Sequence, residues 1–113
     1  MEVKRMQVWY ADLSPVKGCE QGGLRAVGVI SNDKGNAVSP ISIVAPITSK
    51  IGKKRLPTQV IIGSYQGTLV DSMIMCEQIK TIDKSRLMKL LFEITEPNLI
   101  AAIDKAIKVS LGI

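Results

Sequence analysis

The chain of 113 residues predicts a mainly β fold closed by C-terminal helices, on three observations. Short runs of Ile, Val and small residues recur between Gly-, Pro- and Asn-rich breaks from Gln7 to Ile82. Aromatic residues make up only 4% of the chain while apolar residues make up 46%, so the core rests on aliphatic side chains. Helical spacing of apolar residues begins only after Asp83. Strands followed by terminal helices imply a small β-barrel, or an open antiparallel sheet with helices packed on it. The length suits one domain, residues 1–113, with a proper core.

Gln7–Leu13 alternates polar and apolar residues and reads as the first strand, stopped by Ser14-Pro15. A polar loop follows to Leu24, with Gly18, Gly22 and Gly23 supplying backbone freedom. Arg25–Ser31 reads as a buried strand and Asn32–Asn36 as a turn cluster. Ile41–Ile47 is a β-branched strand in which Pro46 predicts an edge position or a bulge. Ser49 to Pro57 is a basic loop carrying Lys50, Lys53, Lys54 and Arg55; solvation and RNA contact are both open readings of it. Thr58–Ile62 resumes strand character, Gly63–Gly67 reads as a turn, Thr68–Cys76 as a strand and Glu77–Ile82 as a short one. Asp83 is placed to cap a helix over Lys84–Leu91. Thr95 is placed to cap a second, with Pro97 in its first turn and a stripe of Leu99, Ile100, Ile103, Ala106 and Ile107 facing the core. Gly112 ends it.

Composition narrows the chemistry. The formal charge of +5 and pI near 9.4 favour an acidic partner: nucleic acid, an anionic protein segment or a membrane surface. No apolar run reaches the roughly 18 residues that span a bilayer, and no signal peptide is evident, so a cytoplasmic location is expected. Cys19 and Cys76 match no zinc spacing and read as free thiols. With no histidine, the chain lacks an imidazole for general acid–base work, for activating a Ser or Cys nucleophile, or for holding a metal. Cys19 therefore reads as a loop residue, not a nucleophile. Any enzymatic chemistry must run on Arg, Lys, carboxylates, hydroxyls or backbone amides.

Three strand ends carry polar residues that packing does not explain: Arg25, Thr48 and Glu77-Gln78. If they share a rim, Arg25 offers a cationic fork and Thr48 a hydroxyl to one phosphate.

The segments Trp9–Pro15, Gly18–Arg25, Val29–Asp33, Ala45–Ser49, Leu56–Thr58 and Glu77–Asp83 together resemble the MazF/PemK toxins of bacterial toxin–antitoxin systems, in order and spacing, over nearly the whole chain. The resemblance implies a small SH3-like barrel, a homodimer, and cleavage of single-stranded RNA at short motifs without metal or other cofactor. It places the catalytic pair on Arg25, after the Glu-Gln-x-Gly loop, and Thr48, at the Pro-x-Thr strand end. It assigns substrate contacts to Glu20, Gln21, Asn32, Ser72 and Gln78. The partners it implies are mRNA and an antitoxin with an acidic, partly disordered segment, with operator DNA as a ligand of the toxin–antitoxin complex and no membrane.

Three positions depart from the family pattern. Ala26 replaces the proline that usually follows the arginine and restricts its backbone. Lys80 stands where arginine is common, exchanging a planar fork for a point charge. Gln59 replaces a frequent histidine, which weighs against any imidazole-dependent step there.

The implied reaction is attack of a ribose 2′-hydroxyl on its phosphate, giving a 2′,3′-cyclic phosphate and a 5′-hydroxyl. With a guanidinium pKa of about 12.5 or more, deprotonating Arg25 at pH 7 costs roughly 7 kcal/mol. Arg25 is thus expected to act as a fixed cation against the transition state, and the general base stays open among water, Glu20 and a phosphate oxygen. Two other readings use the same fold: a non-enzymatic gyrase poison like CcdB, or a nucleic-acid-binding module that no longer cleaves. The first expects a C-terminal Trp-Gly-Ile, whereas this chain ends Leu111-Gly112-Ile113 and its one tryptophan is Trp9.

Overall fold

The computed structural model describes residues 2–15, 17–20, 22–65 and 69–113. Its strands are β1 (Gln7–Asp12), β2 (Leu24–Val29), β3 (Ile41–Thr48), β4 (Gln59–Tyr65), β5 (Leu69–Met75), β6 (Lys80–Asp83) and β7 (Leu87–Glu93). Two helices accompany them, α1 (Asp33–Val38) and α2 (Pro97–Leu111). The strands pair antiparallel in the order β4-β5-β3-β2-β1-β7, with β6 on β3 beside β5. The architecture is mainly β with a C-terminal helix, as expected. The ring is not closed: among the described residues β4 and β7 do not pair, and α2 packs beside β4 instead.

Alternation explains how so few aromatics suffice. On one face Val8, Ala26, Ala45, Ile47, Ile62, Ile74 and Cys76 meet Ile103 and Ala106 of α2. On the other, Trp9, Ala11, Leu13, Val27, Val29, Val44, Ile82 and Leu87 form a second cluster. The central strands are therefore covered on both sides, and β2 is apolar nearly end to end.

Several expected elements differ. In place of a helix over Lys84–Leu91, Asp83 caps a single 3-10 turn, Lys84–Arg86, and the chain then extends as β7 along the free edge of β1. A short apolar run fits either period, and the unpaired edge of β1 decides it. Leu87 is buried while Met88 and Leu90 are exposed. The turn cluster at Asn32 becomes α1, because the Asn32 side chain accepts from the Gly35 amide at 2.8 Å and caps it. Thr95 does not cap α2: the cap position is Glu96, without a side-chain bond, and Pro97 opens the helix. Gly112, in the left-handed region at φ 73°, ends it as expected. Cys76–Gln78 forms a 3-10 turn ahead of β6 and not the start of a strand. β4 runs on through Tyr65, so the turn expected over Gly63–Gly67 does not begin at Gly63, and residues 66–67 of it lie outside the described residues; Gly63, at φ 76°, marks a register shift against β5.

Pro46 is neither at an edge nor in a bulge, but buried in the middle of β3 opposite Val27. The carbonyls of Ile43 and Ile47 point toward β2, where they accept from Ile30 and from Arg25. Alternation turns Pro46 the other way, toward the point where β6, paired up to Val44, gives way to β5, paired from Ile47. The residue without an amide proton occupies the seam where no ladder bond is required.

Candidate functional site

Arg25 is the second residue of β2 and Thr48 the last of β3, and antiparallel pairing of these strands brings the two ends together. They share a cleft of about 370 Å³ lined also by Ile47, Ser49, Lys50, Met73 and Met75. The two methionines are buried and form its floor.

The Arg25 guanidinium is half-buried and held by two carbonyls. Nε donates to Gly22 at 3.1 Å and Nη1 to Ile47 at 3.4 Å. A guanidinium carries five N–H donors, so the orientation is set while several donors stay uncommitted among the described residues. The ladder places Arg25 opposite Ala11, so the extended backbone that a following proline would impose is supplied by strand pairing despite Ala26. Thr48 Oγ1 accepts from the Lys50 amide at 3.1 Å, which leaves its hydroxyl proton free for an acceptor in the cleft.

A second cleft, of about 200 Å³, is lined by Pro46. Its remaining walls are Glu20, Glu77, Gln78, Ile79 and Lys80. Gln78 Nε2 donates to the Cys19 carbonyl at 3.4 Å, tying the 3-10 turn to the glycine loop. Glu20 is exposed and accepts from the Lys17 amide at 3.1 Å. Glu77 accepts from Thr58 Oγ1 at 3.1 Å and Gln59 Nε2 at 2.6 Å, so the residue replacing histidine anchors the start of β4 to the site. The sequence marks Glu77 as a polar strand end and Lys80 as a departure from the family pattern without giving either a role, and it marks Lys50 only as part of a basic loop.

Two expected substrate residues lie elsewhere, and Gln21 lies outside the described residues. Ser72 is only 1% exposed, its hydroxyl donates to the Val70 carbonyl at 2.6 Å, and it lines neither cleft. Asn32 lies past the other end of β2, seven residues from Arg25, or roughly 20 Å along an extended chain, with its side chain engaged as the α1 cap. Of the two thiols, Cys19 is exposed in the loop, whereas burial and then the charge of Glu77 push Cys76 up to about 11.

A family described as PemK-like, MazF-like toxin of type II toxin–antitoxin system matches residues 4–111. The chain belongs to this family. It is 48% identical to Endoribonuclease EndoA of Bacillus subtilis (strain 168) over 114 residues, covering 100% of the chain and 97% of that protein. To Endoribonuclease MazF of Staphylococcus epidermidis it is 47% identical over 112 residues, covering 98% and 92%. Among solved structures, MazF from Deinococcus radiodurans superposes with a TM-score of 0.84, covering 100% of this chain and 99% of that one; at 24% identity this attests the fold of the toxin. No helix of the toxin, among the described residues, is long and apolar enough to cross a membrane.

Proposed function

We propose that this toxin is an endoribonuclease that cuts single-stranded RNA at short sequence motifs in the cleft between Arg25 and Thr48, without a metal ion. The likeness to two named endoribonucleases over nearly their full length supports the reaction class. The observation that carries the site is the convergence of Arg25 and Thr48 in one cleft.

In the reaction, a ribose 2′-oxygen attacks the adjoining phosphorus, the P–O5′ bond breaks, and the 2′ proton passes to a base. The 5′-oxygen leaves with a proton, and the products are a 2′,3′-cyclic phosphate and a 5′-hydroxyl. Arg25 remains protonated and opposes the charge that grows on the phosphorane oxygens, a task for which its two carbonyl bonds preset it. The Thr48 hydroxyl donates to a non-bridging oxygen. Glu20 and Gln78 face the bases flanking the cut from the second cleft, and Gln21 remains assigned to the same role.

The chain works as one domain, paired as a homodimer in the cytoplasm. The acidic segment of a cognate antitoxin inhibits it by occupying the cationic cleft, and the toxin–antitoxin complex binds operator DNA. The experiment is incubation with a long single-stranded RNA in excess EDTA, with ends analysed chemically. Discrete cuts bearing cyclic phosphates are expected. No cutting by the wild type, or equal cutting by Arg25→Ala, overturns the proposal.

A further inference from the structure

The loop that carries Gly22 to Arg25 must start somewhere rigid, and its first carbonyls have lost their ladder partners. β7 pairs with β1 only as far as Leu87 opposite Ala11, so on that edge the next rungs of β1, at Asp12 and beyond, have no strand beside them. Arg86 is the residue just before that last rung. Its Nη1 donates to the Asp12 carbonyl at 3.1 Å and also to the Ser14 carbonyl. From the other side, Lys80 Nζ reaches the intervening Leu13 carbonyl at 3.4 Å, and the Leu13 amide donates to Gly23 at 3.0 Å. Three consecutive carbonyls are thus held by two cations, alternating in direction as strand carbonyls do.

We infer that Arg86 is a positioning residue for RNA cleavage: its guanidinium continues the β1 ladder in place of a strand and fixes the base of the glycine loop, and through it Arg25. The inference rests on the reading of Arg25 as the catalytic cation. The path is short. Asp12 pairs with Leu24 and Ala11 with Arg25, so freeing residues 12–14 loosens the rungs that set the Arg25 backbone, and Gly22 anchors its Nε. Arg86 has no part in lining either cleft, whereas Lys80 does, so Arg86 gives the cleaner test. Charge assistance makes such bonds stronger than amide–carbonyl ones, and one cationic nitrogen, Nη1, reaches both carbonyls two residues apart.

The test compares wild type, Arg86→Met, Arg86→Lys and Arg25→Ala by cleavage kinetics, thermal melting, and amide hydrogen exchange of two segments, 12–25 and 31–44. Displacement of a transition-state group by a fraction of an ångström costs rate and not ground-state binding, so Arg86→Met is expected to lower kcat about tenfold or more with KM within about threefold. Exchange should rise in segment 12–25 and stay unchanged in 31–44, and Arg86→Lys, which keeps a charged donor, should recover most of the lost kcat. The inference is overturned if kcat holds while segment 12–25 loosens, if exchange rises in both segments while melting temperature and activity fall together, or if Arg86→Lys is as impaired as Arg86→Met. A wild type that cuts no RNA defeats the proposed function instead; the exchange readout, which uses no RNA, still decides whether Arg86 holds the loop.

Discussion

The two ends of the central strands β2 and β3 invite comparison, because both carry polar residues beside a cleft and only one of them keeps side-chain donors uncommitted among the described residues. At the Asn32 end, a cleft of about 430 Å³ lies among Glu2, Val3, Lys4, Asp33, Asn36 and Ala37, larger than the cleft beside Arg25. Its polar groups are committed to one another. Asn36, 1% exposed, meets the Ser31 and Ser42 hydroxyls through Oδ1 at 2.5 and 3.3 Å, and its amide nitrogen donates to the Ser31 carbonyl at 2.8 Å. Lys84 Nζ donates to the Asn36 carbonyl, and Arg5 pairs with Asp104 at 2.7 Å. At the Arg25 end the side chains hold backbone carbonyls and keep donors in reserve. Size does not mark the site; uncommitted donors on fixed frames do.

The comparison breaks first on Arg25. Arg25→Ala should lower the cleavage rate by about 10²–10³, the loss expected for one preorganised transition-state donor, with little change in melting temperature. At the opposite end Asn36→Ala should do the reverse. It strands the Ser31 and Ser42 hydroxyls in a buried site and should cost roughly 2 kcal/mol in chemical denaturation, while the folded fraction cuts normally. If Asn36→Ala lowers kcat as much as Arg25→Ala does, the two ends are not functionally distinct.

Smaller effects sharpen the contrast. Thr48→Val should cost about tenfold in kcat, and Thr48→Ser, which keeps the hydroxyl, should restore most of it. Asn32→Ala removes the α1 cap and should cost about 1 kcal/mol of stability while cleavage stays within twofold; a large change in cleavage would return Asn32 to the substrate path. The last effect separates the two thiols. Cys19 should alkylate readily in the native state and Cys76 only on unfolding. Because folding raises the Cys76 pKa to about 11, the fold favours the neutral thiol. Its stabilising contribution is present below the unfolded value near 8.5 and lost as pH climbs through about 11. Denaturation midpoints of wild type and Cys76→Ala should therefore converge over that range.

Much of this was legible in sequence because it depended on local pattern. Alternation located β1, the β-branched runs located β2 and β3, and the stripe from Leu99 to Ile107 with Pro97 and Gly112 located α2. The two catalytic candidates were legible because each ends a strand on a polar residue. What escaped depended on partners distant in sequence. The fate of Leu87–Glu93 turned on the free edge of β1, some 80 residues earlier by chain position, and no local period encodes that. Ser72 enters as a substrate residue through the resemblance alone, and only the folded sheet shows its face to be covered. Asn32 was placed near a ligand by resemblance, but its side chain caps the helix beginning at the next residue. The Arg86 bonds to carbonyls 72 and 74 positions away were beyond any motif.

Pro46 leaves a lasting mark on how this surface is built. Since β3 presents no amide proton there, neither neighbouring strand is drawn across to complete a rung, and a window stays open in what would otherwise be a continuous wall. The hollow bounded by Glu20 and Gln78 is the outside of that window. A ring that bars one hydrogen bond in the interior is therefore matched by a hollow at the rim.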